Sequence, residues 1–225
     1  MRPAQAQVMD MQNFGVVKVN KFELRDTKGV KSLNWEAEGW YGGDRNKLWI
    51  KTSGATSVSG AKSGEAELQV LYDRMLTPFW DAQVGVRRAL QFSPGNNIAR
   101  NYAVFGFQGL APYWFELEPA IFVSEKGNVL GRFSGTYELL FTQRLIAEGS
   151  FEANVSAKNV PELGIGSGLN NIGVGLRLRY EISRKFAPYV GVTWSRSYGN
   201  TANMAIGRGD PVQNAAVNVG LHLRF

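Results

Sequence analysis

Few residues in this chain carry sharp chemistry: one histidine, His222, and five methionines. Met9-Asp10-Met11 sets two thioethers two residues apart. Thioethers and imidazole together make the ligand set that soft cations, copper(I) among them, prefer. Met75 and Met204 lie far along the chain from that pair. A lone methionine is more often packing filler than a ligand, so these residues matter only where a fold positions them. Ser–His hydrolysis is the rival chemistry, and it needs a serine within hydrogen-bond reach of the imidazole plus a third, orienting group. No serine lies on the segment that carries His222. Ser195, on the segment before it, falls near the opposite end of an antiparallel pair. An enzyme is therefore not expected. There is no cysteine, which excludes disulfides and thiolate metal sites but leaves an oxidising compartment open.

The elements that must hold these residues repeat with period two. Val217, Val219, Leu221, Leu223 and Phe225 share one face, against Ala216, Asn218, Gly220, His222 and Arg224 on the other. Ile172, Val174, Leu176, Leu178 and Tyr180 repeat the pattern. About twelve such segments follow one another, near 16–26, 31–41, 45–54, 65–76, 79–90, 100–111, 113–124, 130–141, 144–155, 169–180, 187–198 and 214–225. Each is long enough to cross a bilayer at a tilt, and longer than the usual globular strand. No run of 18 uncharged apolar residues occurs, so a transmembrane helix is not expected. The pattern predicts an all-β fold: a closed antiparallel transmembrane β-barrel of 12 strands over residues 16–225, preceded by an N-terminal periplasmic segment, 1–15.

The connections support this. Alternate ones are short (42–44, 77–78, 112, 142–143 and 183–186), whereas 55–64, 91–99, 156–168 and 199–213 are longer, with 27–30 and 125–129 as brief exceptions. Outer-membrane barrels sort short turns to the periplasm and long loops outside, which places both termini in the periplasm. Trp40, Tyr41, Phe79, Trp80, Tyr113, Trp114, Tyr180, Phe186, Tyr189 and Phe225 then gather at one strand end as an interfacial girdle. The formal charge is +6, and Lys28, Lys62, Lys126, Lys158 and Arg208 fall on the opposite loops. Cations there would face the anionic headgroups of outer-membrane lipid and lipopolysaccharide. No basic stripe marks a nucleic-acid partner.

Parity assigns a charged set to the interior: Glu36, Glu38, Glu67, Asp73, Asp81, Arg87, Glu116, Glu118, Arg132, Glu138, Arg144, Glu148, Glu152, Arg177, Arg179, Glu181, His222 and Arg224. Hydrocarbon would not accept them, a midplane Arg or Lys costing about 2–4 kcal/mol. Acids outnumber bases in this set. It fits either a cation-attracting passage or a salt-bridged plug.

Glu38-Gly39-Trp40-Tyr41-Gly42-Gly43-Asp44, followed by Asn46-Lys47-Leu48-Trp49-Ile50-Lys51, resembles the copper resistance protein B family. Further matches are Tyr72-Asp73-Arg74, Pro78-Phe79-Trp80-Asp81-Ala82-Gln83-Val84-Gly85 and Gly106-Phe107-Gln108-Gly109-Leu110-Ala111-Pro112-Tyr113. Thr142-Gln143-Arg144-Leu145, Leu176-Arg177-Leu178-Arg179-Tyr180-Glu181 and Phe186-Ala187-Pro188-Tyr189-Val190-Gly191-Val192 complete them. The resemblance implies an outer-membrane protein that handles copper ions beside a periplasmic multicopper oxidase, and not a catalyst. Copper would be bound or conducted, with His222, Met75, Met9, Met11 and Met204 as candidate ligands. The alternative is a non-conducting barrel that docks the oxidase. Family members often carry a Met- and His-rich stretch before the barrel, from which this chain departs.

Overall fold

The computed structural model describes residues 13–59 and 63–225. These form twelve strands in one closed antiparallel barrel: β1 (Phe14–Thr27), β2 (Val30–Gly42), β3 (Asn46–Ser57), β4 (Gly64–Thr77), β5 (Trp80–Ser93), β6 (Asn96–Ala111), β7 (Phe115–Ser124), β8 (Val129–Leu140), β9 (Leu145–Ser156), β10 (Gly168–Tyr180), β11 (Phe186–Ser197) and β12 (Gln213–Arg224). Each strand pairs with its sequence neighbours, and β1 closes on β12. Closure removes the two unpaired edges that a sheet cannot leave in lipid. At the seam, the Phe225 N–H donates to the Val17 carbonyl at 2.8 Å, and the Val17 N–H donates back at 3.2 Å.

The alternation that predicts strands also sorts their faces. Val190, Val192, Leu176, Val217 and Val219 are exposed on the outside, as an apolar belt facing hydrocarbon requires. Their neighbours Tyr189, Arg177, Arg179 and Asn218 are buried within. Val190→Arg is expected to destabilise the barrel by about 2–4 kcal/mol, the cost of a midplane arginine. Thr193→Arg, on the lumen side of the same strand, should cost far less. Denaturant titration of the two variants in lipid bilayers, followed on unboiled gels, checks the inside–outside assignment.

Both termini and the turns after β2, β4, β6, β8 and β10 lie at one end of the barrel, here the terminal end; the other connections form the loop end. Two of the predicted long loops are different structures. Residues 91–99 are mostly strand: Gln91 pairs with Ile98, Ser93 with Asn96, and a tight turn at Pro94–Gly95 joins β5 to β6. Gly95 takes a positive φ of 82°, which lets two residues reverse the chain. Residues 199–213 contain a helix, α1 (Gly199–Arg208), closed by left-handed Gly209, whose N–H reaches the Ala205 and Ile206 carbonyls.

Two predicted girdle aromatics turn inward. Trp40 shares the lumen face of β2 with Glu36 and Glu38 and packs on Trp49, ring centroids 6.3 Å apart. Tyr189 is buried on the lumen face of β11. Tyr41, Phe79, Tyr113, Trp114, Tyr180, Phe186 and Phe225 remain exposed, as a girdle needs. Residues 1–12 of the predicted N-terminal segment, Met9 and Met11 among them, and Lys62 lie outside the described residues, while Phe14 and Gly15 of that segment belong to β1.

Candidate functional site: the charged lumen

The interior is built from two walls joined by side chains that cross the lumen. On one wall Trp49, Leu71, Tyr102, Val104 and Phe122 pack into a buried apolar cluster. The Arg87 guanidinium lies 4.5 Å from the Phe122 ring centre and 5.2 Å from that of Tyr102. Arg132 approaches the Phe122 ring at 5.3 Å. Both arginines meet Glu67 on β4, Arg87 at 2.5 Å and Arg132 through paired contacts of 2.9 and 3.1 Å. A single carboxylate thus bridges two guanidiniums, one of them reaching from β8. The two-pronged contact is the strong form of this pair.

Below it, Lys51 on β3 spans to Glu118 on β7 at 2.8 Å and to Gln108 on β6 at 3.1 Å. Its ammonium also sits 5.1 Å from the Trp49 ring centre. Nearer the terminal end, Lys47 binds Asp81 at 2.8 Å and lies 3.7 Å from Asp73. The Gln83 amide donates to Asp73 at 2.9 Å and to Gln108 at 2.8 Å, and Gln108 in turn donates to Glu116 at 3.1 Å. On the opposite wall Arg177 binds Glu148 at 2.6 Å. Arg179 holds Glu138, Glu148 and Glu181 at 3.0, 3.3 and 3.7 Å. Tyr189 donates to Glu23 at 2.8 Å, and Arg25 meets the same carboxylate at 2.9 Å. Lys21 pairs with Glu36, and Lys18 with Glu38 at 3.6 Å.

The structure places Glu36, Glu38, Glu67, Asp73, Asp81, Glu116, Glu118, Glu138, Arg177, Arg179 and Glu181 in or at the lumen. Glu23 and Glu65 join the inward acids, while Lys18, Lys21, Arg25, Lys47, Lys51 and Arg100 also face inward, so the expected acidic excess is narrowed. Lys47 and Lys51 were legible, because they alternate with outward Leu48 and Ile50. Those on β1 were hidden: a bulge between Val19 and Lys21 inserts Asn20 and shifts the alternation. Arg144 lies exposed in the turn between β8 and β9, outside the lumen proper.

Around these pairs the lumen stays hollow. One cavity of about 370 Å³ occupies mid-barrel and another of about 460 Å³ lies toward the loop end. They share Lys21, Arg25, Glu36, Glu67, Arg132 and Asn171 as common wall, so the two polar cavities adjoin across a layer of ion-paired side chains.

The candidate soft ligands are spread out. His222 sits on β12 opposite the Asn20–Lys21 bulge, beside Ala187 of β11. Met75 lies on β4 across from Asp81, and β4 does not pair with β12. Met204 is on α1 at the loop end. Among the described residues, no three His, Cys, Asp or Glu side chains cluster as a metal site would require. Ser195 pairs with Asn214, whereas His222 lies eight residues further along β12, a separation of about 27 Å at strand rise.

The sequence profile of the family described as Copper resistance protein B precursor matches residues 13–225. Copper resistance protein B of Escherichia coli is 38% identical over 210 residues, covering 93% of this chain and 69% of that protein. The chain belongs to the copper resistance protein B family. A homolog from Pseudomonas syringae pv. tomato is 40% identical over 206 residues, covering 92% of this chain and 68% of its own. Among solved structures this copper resistance protein B barrel is similar to the NanC porin, with TM-score 0.60, 11% identity and coverage of 92% and 98%. The KdgM porin gives 0.55, 9%, 93% and 99%, and outer-membrane phospholipase A from Escherichia coli 0.57, 10%, 91% and 92%. The shared fold and the apolar belt make it an outer-membrane barrel.

Residues that carry the family resemblance fall at places the fold explains. Gly42-Gly43-Asp44 forms the turn into β3, where Gly42 has a φ of 155° and a Cβ would lie 2.8 Å from the Lys47 Cα. Asp73, Asp81, Gln83 and Gln108 form the bonded lumen chain described above.

Proposed function

We propose that this copper resistance protein B barrel binds copper ions and conducts them across the outer membrane, with its terminal end in the periplasm. The observation that carries this reading is the pair of adjoining lumen cavities, both lined by ionised groups and large enough for water. Carboxylates at the walls lower the cost of passage for a cation, and weak, dispersed sites let it leave. His222 and Met75 supply soft ligands toward the terminal end, Met204 one at the loop end, and Met9 with Met11 a thioether pair ahead of the barrel. The compact turns at the terminal end and the larger, partly helical loops opposite support the assigned orientation. No catalytic role is assigned, and the separation of Ser195 from His222 supports that.

A second reading has its own observation. Lys51–Glu118 and Glu67–Arg132 cross the lumen like struts, which favours a closed barrel whose periplasmic rim docks a multicopper oxidase. Copper flux into liposomes holding the purified protein separates the two. Transport above that of empty liposomes supports the conduit; none, with copper still bound, supports the docking barrel. His222→Ala and Met75→Ala are each expected to weaken copper binding in equilibrium dialysis. Undiminished affinity in both removes them as ligands.

A further inference from the structure

The loop between β9 and β10, residues 157–167, does not stand away from the barrel. Val160 is buried and closes a small ring of backbone bonds with Ile165. A short 3-10 turn, Pro161–Leu163, follows and ends at left-handed Gly164. Leu163, Gly164 and Ile165 wall the loop-end cavity. From this turn Glu162 extends to Arg100, on the inner face of β6, and to Lys126 at 3.3 Å in the turn between β7 and β8. A loop that leaves β9 is thus fastened three strands away, across the mouth. Helix α1 braces it from behind: the Gly166 N–H donates to the Thr201 hydroxyl at 2.8 Å, and Asn200 donates to Asn159 at 3.3 Å.

We infer that residues 157–167 form a lid over the loop-end mouth, latched by the Glu162 carboxylate between Arg100 and Lys126. The inference deepens the conduit reading and rests on it for its purpose, though the lid itself can be tested without copper. Glu162 ties the loop to β6 and the β7–β8 turn, α1 holds its other side, and its two ends continue into β9 and β10. Gly164, Gly166 and Gly168 supply backbone freedom along the segment; Gly164 and Gly168 hold positive φ of 68° and 84°. Arg100 is buried and carries the inner half of the latch, while Lys126 and Glu162 are more than half exposed, so solvent reaches the outer half. The hydrogen bond and charge of Lys126, with Arg100 behind, hold the Glu162 carboxyl below the usual carboxylate range. The carboxylate therefore stays ionised at neutral pH, and the closed lid is the resting form.

The chain lacks cysteine, so Ala89→Cys places a single thiol on the wall of the loop-end cavity. The probe is a charged methanethiosulfonate reagent, applied to folded protein in bilayer discs, with unboiled gels confirming that each variant keeps its barrel. Glu162→Gln in this background is expected to raise the labelling rate several-fold. Lys126→Gln should give a smaller rise. Lys158→Gln, an exposed cation on the same loop but outside the latch, should leave the rate unchanged. Labelling of Glu162→Gln at the parent rate, or an equal rise in Lys158→Gln, overturns the lid. Faster labelling without copper flux keeps the lid and removes the conduit.

Discussion

Replacing Glu67 with glutamine is expected to destabilise the barrel by about 3 kcal/mol, the low end for breaking a buried ion pair, because the lumen is partly hydrated. The cost arises from what remains. Arg87 and Arg132 lose the carboxylate that holds both, and two like charges remain beside the Phe122 ring. The aromatic face offsets a little of this by cation–π attraction, worth about 0.5–2 kcal/mol. Adding Arg132→Gln should recover part of the loss, since one guanidinium then has fewer like charges to face. Urea titration in micelles, following the unboiled band on gels, measures both. If Glu67→Gln is as stable as the parent, the carboxylate is not the keystone of that wall.

Lys51→Ala is expected to have the largest effect on transport. Lys51 is a strut across the lumen, with Glu118 at 2.8 Å and Gln108 at 3.1 Å, and on the conduit reading it is a positive charge in the cation's path. Its removal widens mid-barrel and leaves Glu118 uncompensated. A unit charge about 4 Å away contributes about 1 kcal/mol in water-like surroundings, and twice that for a divalent ion. Copper(II) flux through liposomes should therefore rise at least tenfold, and copper(I) flux roughly fivefold. Permeability should shift toward cations over anions as well, which reversal potentials in a salt gradient report. Unchanged selectivity would place the conducting path away from Lys51.

The barrel was open to inspection in the sequence because period-two alternation is a local signal. Val217 through Phe225 announces its faces with no knowledge of its neighbours, and strand limits fall within a few residues of expectation. Pro94–Gly95 shows the limit of that logic. Polar residues at 91–99 look like a loop, yet cross-strand pairing carries both strands through them. α1 was missed because a ten-residue helix on loop scaffolding needs only a short apolar stripe, here centred on Ala205. For the lumen, parity left out Lys18, Lys21, Glu23 and Arg25 on β1, where one inserted residue at Asn20 inverts the count. No local signal could have found Arg100–Glu162, whose two halves lie 62 residues apart and meet only once the barrel closes. The spread of His222, Met75 and Met204 was equally out of reach, since ligand clustering depends on strand order.

The seam between β1 and β12 joins residues from the two extremes of the chain, Val17 and Phe225 among them. Every other strand pair is a neighbour in sequence and can zip as a hairpin; this one must wait for all the rest. β12, the last barrel strand in sequence order, is thus also the one that ends the barrel's exposure of open edges. A polypeptide halted before Gln213 would keep ten hairpin contacts and two bare margins, a form prone to pair with other chains. Commitment to the native state is therefore a single late event, and variants at the seam should act mainly on assembly yield, while those at Glu67 act on endurance afterwards.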